Sequence, residues 1–416
     1  FTGHFDMAFI QALPNRLFGT MENTTLIAVP LFILMGVMLE KSKLSEDLLE
    51  SMADLFGEFR SGLGISVVLV GALLAASTGI VGATVVTMGL MSLPTMLKRG
   101  YSPSQATGLI AATGTLGQII PPSIILVMLG DVMTSAYQQA QLATGNYSPK
   151  TVSVGDLFAG ALIPGLLILT AILITNLVVN RIYGYEGGGN MSAAEYFGNL
   201  IRALASGWYA FIVPGIIFYG IFSGRLTPTE AGATAVIVTI IIGFVLGTLK
   251  LSDFPNMLVS SAKVNGIILP IIAFSLPLAQ ALAIMGVPQG FVHSVTTLTD
   301  DPTLLILMMI GILIAAGCVM ETTPNIVILA PILKPLADNV GMNEIQFCIM
   351  MITALGVGFI TPPLGLNLFV VSGITGESIL RIAWRAVPFV FFMLVVVLLI
   401  AFVPAISTTM LPDIYK

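Results

Sequence analysis

The chain has 416 residues, 56% of them hydrophobic and 9% charged, with a net charge of -5 and a mean hydropathy of +1.00. Soluble domains carry about 25% charged residues, so the composition excludes a soluble globular protein and reads as a polytopic membrane protein. Apolar runs near the roughly 20-residue length of a spanning helix, without strand alternation, argue against a β-barrel, and the small dispersed charge offers nothing to nucleic acid.

The sequence starts at Phe1 rather than Met, and one or two leading helices are expected ahead of it. Residues 1–23 read as a short amphipathic lead-in. Leu26 to Leu39 is a first span containing Pro30. Glu40 to Arg60 is polar with periodic apolar positions (Leu44, Leu48, Leu49, Met52, Leu55, Phe56, Phe59), which suits either a helix in the membrane interface or a cytoplasmic connector. Gly62 to Ala76 is short for a crossing and meets a small-residue cluster, Ser77 to Thr84, before another short apolar run to Leu97. Two half-length arms around a Gly/Ser/Thr tip predict a re-entrant helical hairpin. Leu93 to Ile124 then carries a helical run broken at Gly117 and Pro121-Pro122, because proline lacks an N–H and clashes with the preceding turn.

These landmarks return 241 residues later. Pro94, Gly100, Gln105, Gly117 and Pro121-Pro122 fall on Pro335, Gly341, Gln346, Gly358 and Pro362-Pro363, and the first tip falls on Cys318 to Asn325. Between the copies, spans are expected at about 157–180, 207–222, 230–249 and 265–285, with a polar loop at 137–155 and a linker at 181–206. One span, about 387–405, follows. The expected division is 1–60 lead-in, first span and interfacial helix; 61–136 first-repeat transport elements (hairpin 61–97, broken helix 103–136); 137–302 scaffold spans and connectors; 303–376 second-repeat transport elements (hairpin 303–337, broken helix 343–376); and 377–416 last span and tail. Placing the Lys98-Arg99 loop in the cytoplasm leaves Arg16, Lys150, Arg225, Lys334 and Lys416 outside and the other 11 of the 16 basic residues inside, the favoured orientation. The two hairpins then enter from opposite faces. The expected fold is therefore all-α and polytopic, with two inverted repeats, each a re-entrant hairpin plus a broken transmembrane helix.

Open backbone survives in a membrane only where protein buries it or it lines a cavity. Unwound carbonyls and hydroxyls suit hard monovalent cations, and exposed half-helix N-termini suit a carboxylate. Cation sites are expected where each tip meets its own half's break. The candidates are Ser77, Gly79, Thr84, Gly114, Thr115 and Gln118 in the first half and Glu321, Thr322, Thr323, Asn325, Gly356, Thr361 and Asn367 in the second. The alternative for any one Ser or Thr is back-bonding within its own helix. Glu321, an acid deep in an apolar segment, is the most informative: intramembrane acids are costly and mark ion or proton paths. Asp131 is expected near the outer interface, Arg225 and Glu230 as a surface pair, His293 as a structural residue in a linker, and Cys318 and Cys348 as packed thiols. Metalloprotease, serine-hydrolase and P-loop motifs are absent, so the chain does not read as an enzyme or an ATP-driven pump.

Gly117-Gln118-Ile119-Ile120-Pro121-Pro122-Ser123-Ile124 resembles the GxIIPPSI stretch of the large membrane subunits of TRAP (tripartite ATP-independent periplasmic) transporters. Thr361 to Phe369 resembles the family's second-half counterpart, and Leu97 to Tyr101 and Met320 to Thr323 also fit. The resemblance runs from about residue 20 onward; the first tip, Gly79 to Thr84, departs from the commoner Ser-rich form. It implies a multi-pass protein of the bacterial inner membrane. It implies an elevator-type importer of a small organic acid, such as a 2-keto or hydroxy acid, driven by sodium as coupling ion with no other cofactor. Its implied partners are a small four-helix membrane subunit, a periplasmic substrate-binding protein and the lipid bilayer. The alternatives are a single-component sodium/anion symporter of the same superfamily and an intramembrane enzyme, which would need a close pair of ionisable groups at depth.

Overall fold

The computed structural model describes residues 13–41, 61–78, 81–143, 152–182, 208 and 212–411. The expected interfacial segment after Lys41, the tip residue Gly79 and the linker after Ile182 lie outside the described residues. All regular structure among the described residues is helical. In chain order the helices are α1 Leu13–Met21, α2 Ala28–Lys41, α3 Gly62–Thr78, α4 Val81–Lys98, α5 Pro103–Gly114, α6 Leu116–Ile119, α7 Ile124–Ala143, α8 Val154–Ile182 and α9 Ile212–Phe222. They continue as α10 Pro228–Val245, α11 Phe254–Ile284, α12 Val287–Thr296, α13 Pro302–Val319, α14 Thr322–Asn339, α15 Glu344–Phe359, α16 Leu366–Thr375, α17 Ile379–Phe402 and α18 Ala405–Thr408. Among the described residues, α8, α10, α11, α13 and α17 are each long and apolar enough to cross a bilayer, and the bent pair of α5–α6 with α7 adds a sixth.

The 241-residue offset shows in the element starts. Val81 and Thr322 open α4 and α14; Pro103 and Glu344 open α5 and α15. The turn before each broken helix holds a glycine in the left-handed region, Gly100 at φ 87° and Gly341 at φ 71°, which a side chain would strain. Both Pro-Pro bonds are cis. The helix starts have local causes. Ser102 accepts from the Gln105 N–H with Pro103 in the first turn, and Asn343 accepts from the Ile345 N–H.

The centre is built from the leading segments of the two broken helices. Ala106–Gly114 of α5 and Ile345–Phe359 of α15 are buried on every side, as all-apolar helices must be. Arm α4 packs on α5 and α16, arm α14 packs on α7, α11 and α12, and α13 runs against α15. A second group, α2 with α10 and α11, lies to one side.

Three helices differ from the expected boundaries. Helix α7 runs to Ala143, through what was expected as polar loop, because Gln138, Gln139, Ala140, Gln141 and Leu142 are good helix formers. Helix α11 starts at Phe254 instead of about 265. Its polar stretch stays helical because side chains bond back to the backbone, as Asn265 Nδ2 does to the Ser261 carbonyl at 2.9 Å. Helix α17 starts at Ile379, with Arg381 3.7 Å from Glu377 in its first turn. Helix α8, in the stretch expected as scaffold, packs against α17, α15, α3 and α5. Helix α12 was not anticipated; His293 sits on its exposed side.

Helices α13 and α15 meet backbone to backbone. A Cβ on Gly358 would stand 2.6 Å from the Ile314 carbonyl oxygen and 2.8 Å from Gly317 Cα. Close approach through small residues drives helix association in membranes. Gly358→Ala is therefore expected to destabilise the protein by about 1–3 kcal/mol, the usual cost of overpacking. Gly311→Ala, where an added Cβ meets nothing within 4 Å, should leave the unfolding midpoint in detergent unchanged or slightly raised.

Candidate functional site

The site begins with carbonyls that proline strips of partners. In a regular helix the Gln118 carbonyl would accept from residue 122, but Pro122 has no N–H. The Ser123 hydroxyl donates to it instead at 3.0 Å. Ile120, placed before a proline, turns to an extended conformation (φ -76°, ψ 119°) and ends α6. The chain restarts as α7, bent by 45°. Upstream, the Thr115 N–H turns to the Ala112 carbonyl at 3.2 Å, which releases the Ala111 carbonyl. Asn367 Nδ2, from the other half, donates to Ala111 at 2.9 Å.

The second break is built alike. Thr361 donates its N–H to the Gly358 carbonyl (3.0 Å) and its hydroxyl to that of Val357 (2.7 Å). Gly365, at φ 57°, donates its N–H to the Cys318 carbonyl at the end of α13 (3.0 Å); a Cβ there would press on Leu368 and the Phe359 carbonyl. At the tip between α13 and α14, Asn325 Nδ2 donates to the Met320 carbonyl at 2.9 Å. Glu321 occupies the N-cap position of α14 and is half-buried.

The tips do meet their own breaks. Thr84 is fully buried, and a Cβ on Gly117 would stand 3.3 Å from its hydroxyl oxygen. Gly317 and Gly365 join the second hairpin to the second break. The polar side chains, however, reach across the halves. Thr322 donates to Gln118 Oε1 at 2.6 Å, and Gln118 Nε2 donates to the Ile352 carbonyl at 2.8 Å. Gly356 makes room for this amide, since a Cβ there would stand 2.4 Å from Gln118 Nε2. Gly114 makes room for Val85 and Asn367. Thr115 donates its hydroxyl to the Ala112 carbonyl of its own helix, the back-bonding alternative. Thr323 is buried beside Thr322. Ser77 lies near the end of α3 but its side chain, like Gly79, is outside the described residues.

Among the candidate site residues, two buried side-chain atoms have no partner. The side-chain oxygens of Asn325 and Asn367 are buried and accept no hydrogen bond. Each amide has its N–H group committed to a carbonyl, so each oxygen faces the interior as a bare acceptor. A buried unsatisfied oxygen calls for an ion, a water or a strain role. Among the described residues no group of three His, Cys, Asp or Glu stands together, so a cation here would be held by amide, hydroxyl and carbonyl oxygens with at most one carboxylate, Glu321. That donor set fits a hard monovalent ion better than a transition metal. The two breaks differ in access: Pro121, Pro122 and Ser123 are buried, whereas Pro362, Pro363 and Leu364 are exposed.

Three features escaped the sequence reading. Ser123 stands in the quoted motif but was not among the candidates. Asp131, expected near the outer interface, is half-buried on α7 and accepts from Asn23 Nδ2 at 2.6 Å, tying a broken helix to the segment before α2. Gln105 and Gln346, both read only as repeat landmarks, bind each broken helix to the long helix after it. Gln105 Nε2 donates to Asn180 Oδ1 of α8, and Gln346 Nε2 donates to the Ile400 and Ala401 carbonyls of α17 (3.0 and 2.9 Å). Cys318 and Cys348 are free and buried.

A family model described as "Tripartite ATP-independent periplasmic transporter, DctM component" matches residues 2–406. The chain is 32% identical over 400 residues to the C4-dicarboxylate TRAP transporter large permease protein DctM of Pseudomonas aeruginosa, covering 96% of this chain and 88% of the relative. It is 31% identical over 390 residues to the isethionate TRAP transporter permease protein DctMQ of Oleidesulfovibrio alaskensis, covering 94% and 58%. Among solved structures, the YdaH transporter of Alcanivorax borkumensis superposes with a TM-score of 0.67 at 15% identity, over 98% of this chain and 90% of that one, a likeness of fold.

Gln118 is the polar joint between the halves. Gln118→Leu takes away the acceptor of the Thr322 hydroxyl and the amide contact to the Ile352 carbonyl of α15, and should cost about 1–3 kcal/mol, read as a lowered unfolding midpoint. Thr322→Val should cost less. The double variant should cost less than the sum of the singles, since each change removes part of the same contact.

Proposed function

The chain belongs to the DctM component family of tripartite ATP-independent periplasmic transporters, and from that premise we propose that it is the large permease subunit of a sodium-coupled importer for a small organic acid. It is a multi-pass inner-membrane transporter component, not an enzyme. The observation that carries sodium coupling is the pair of bare amide oxygens, Asn325 Oδ1 and Asn367 Oδ1, at the second tip and the second break, with Glu321 four residues before Asn325. Oxygen-only ligation with little formal charge suits Na⁺, and binding it would relieve two buried unsatisfied acceptors.

The anion is assigned to the helix ends that the breaks expose. Helices α7, α14 and α16 all start at this level of the fold, and the first N–H groups of a helix lack intrahelical partners and carry its positive dipole end. A carboxylate is the substrate group we favour, on the analogy of the C4-dicarboxylate relative; the isethionate relative makes a sulfonate the competing choice. The exposed second break is the side from which we expect it to enter. An elevator mechanism follows if the hairpins, the broken helices, α8 and α17 move as one body, which their shared polar bonds favour, against α2, α10 and α11. A small membrane subunit and a periplasmic binding protein complete the proposed machine. The second reading is a single-component symporter; the fold shared with the YdaH transporter fixes no partner chain.

The test is uptake of a labelled organic-acid panel, carboxylates and sulfonates, into proteoliposomes holding this subunit and its small partner. A sodium gradient and the cognate binding protein are each supplied or withheld. Uptake that requires both supports the tripartite reading; uptake indifferent to the binding protein favours the symporter. Glu321→Gln is expected to abolish sodium-dependent uptake while the protein still folds and inserts. An unchanged sodium dependence in that variant removes Glu321 from the coupling site.

A further inference from the structure

We propose that the end of α9 is a binding site for one anionic phospholipid, its phosphate held by Arg225 and an acyl chain lying in the groove below. The sequence reading paired Arg225 with Glu230, and the structure separates them. Glu230 turns its carboxylate back to the Thr227 N–H and hydroxyl (2.8 and 2.9 Å), closing a capping box at the start of α10. Arg225 instead places its guanidinium carbon 5.5 Å from the centroid of the Tyr219 ring. The ion pairs among the described residues are Lys334–Asp338 and Arg381–Glu377, so no carboxylate neutralises Arg225.

The turn that positions Arg225 is fixed. After α9 the chain passes Gly224 at φ 68°, and the N–H groups of Arg225 and Leu226 both donate to the Gly220 carbonyl (3.1 and 3.0 Å). Leu226 folds back so closely that a Cβ on Gly220 would stand 2.5 Å from it. Below the guanidinium, Ile212, Gly215, Ile216 and Tyr219 form one stripe of α9, and with Leu226 they line an open groove of about 690 Å³. That is within the roughly 300–1,000 Å³ of small-molecule sites. Gly215 is its floor, where an added Cβ meets nothing within 4 Å.

Charge and position decide the occupant. The groove is apolar along its length and closes at one end on a single exposed guanidinium with unused donors. That end is a helix terminus in a turn between two apolar helices, the level of lipid headgroups, where Tyr and Arg anchor membrane proteins. A guanidinium matches the two oxygens of a phosphodiester in bidentate geometry. A free phosphate would use the Arg and leave the groove empty; a partner's apolar helix would fill the groove and leave the Arg unpaired.

The experiment is native mass spectrometry of the large subunit with its small membrane partner, titrated with phosphatidylglycerol and with phosphatidylcholine of the same acyl chains. The complex is expected to retain one phosphatidylglycerol about tenfold more tightly than phosphatidylcholine, and Arg225→Gln should erase that preference, about 1.4 kcal/mol. Gly215→Trp, which fills open space, should lose retention of both lipids. Equal retention of the two lipids by the wild-type complex overturns the proposal. So does displacement of the lipid by inorganic phosphate, which would make the site one for free anions. A photo-crosslinker at position 215 that reports the small subunit instead of lipid also overturns it, making the groove a subunit seam.

Discussion

The structure rests on one constraint: a peptide group inside a bilayer must find a partner within the protein. Prolines at 121, 122, 362 and 363 remove N–H donors in the middle of apolar sequence, and side chains and main-chain groups nearby take up carbonyls left open around the breaks. Ser123 serves the Gln118 carbonyl, and Asn367 serves the Ala111 carbonyl released at Thr115. At the second tip, Met320 is extended between the two hairpin arms, and Asn325 Nδ2 serves its carbonyl. Gly365, held at φ 57°, turns a main-chain N–H to Cys318 for the same purpose. Asparagine and glutamine are suited to this because the side-chain amide is a peptide group on a short tether.

That substitution has a geometric consequence. An amide that repairs a neighbouring helix fastens two elements together, and here the repairs run between halves. Gln118 touches Thr322 and Ile352; Asn367 touches Ala111. The glycines beside them, Gly114 and Gly356, are the clearance that lets the amides reach. The two breaks are thus one object. Gln105 and Gln346 extend it outward by fastening α8 and α17. By contrast, α2, α10 and α11 contact this body largely through apolar surface, with the Asn23–Asp131 bond a polar exception. Apolar surfaces can slide past each other without stranding a donor, whereas the amide contacts cannot.

What could be read beforehand followed the same division between local and distant causes. Pro-Pro pairs, the left-handed glycines at 100 and 341 and the caps at Ser102 and Asn343 act within a few residues, so the starts of the two broken helices, expected at 103 and 343, were legible to within a turn. Polar stretches misled at α7 and α11, because in a helix Gln and Asn can back-bond or face outward without breaking the run. The cross-half partners of Gln118 and Asn367 lie more than two hundred residues away, and no local pattern announces them. The 241-residue offset was silent too, since it maps Gln118 onto Phe359 and Asn367 onto Leu126. The polar repair is asymmetric although the breaks are not. Arg225 and Glu230 failed for a different reason: opposite charge suggests a pair, but a capping box three residues long wins over a longer reach across a turn.

The asymmetry bears on chemistry. Every amide in the site spends its N–H on a carbonyl, which is the structural duty just described, and that leaves the amide oxygen over. Gln118 gives its oxygen to Thr322; Asn325 and Asn367 give theirs to nothing within the chain. A leucine in place of either would have spared the unsatisfied acceptor but lost the repair. Keeping the amide therefore costs the fold an oxygen that only a donor or a cation can satisfy. The site is buried on the first-break side and exposed at the second, where Glu321 stands. Each of these oxygens is oriented by the carbonyl its own amide N–H serves, so a cation bound as proposed would need little further ordering of the chain. On the proposed sodium coupling, an ion bound there would satisfy both amide oxygens, which the chain itself leaves without a donor. That difference in internal satisfaction between loaded and unloaded states is a physical basis on which ion binding can govern whether the body moves.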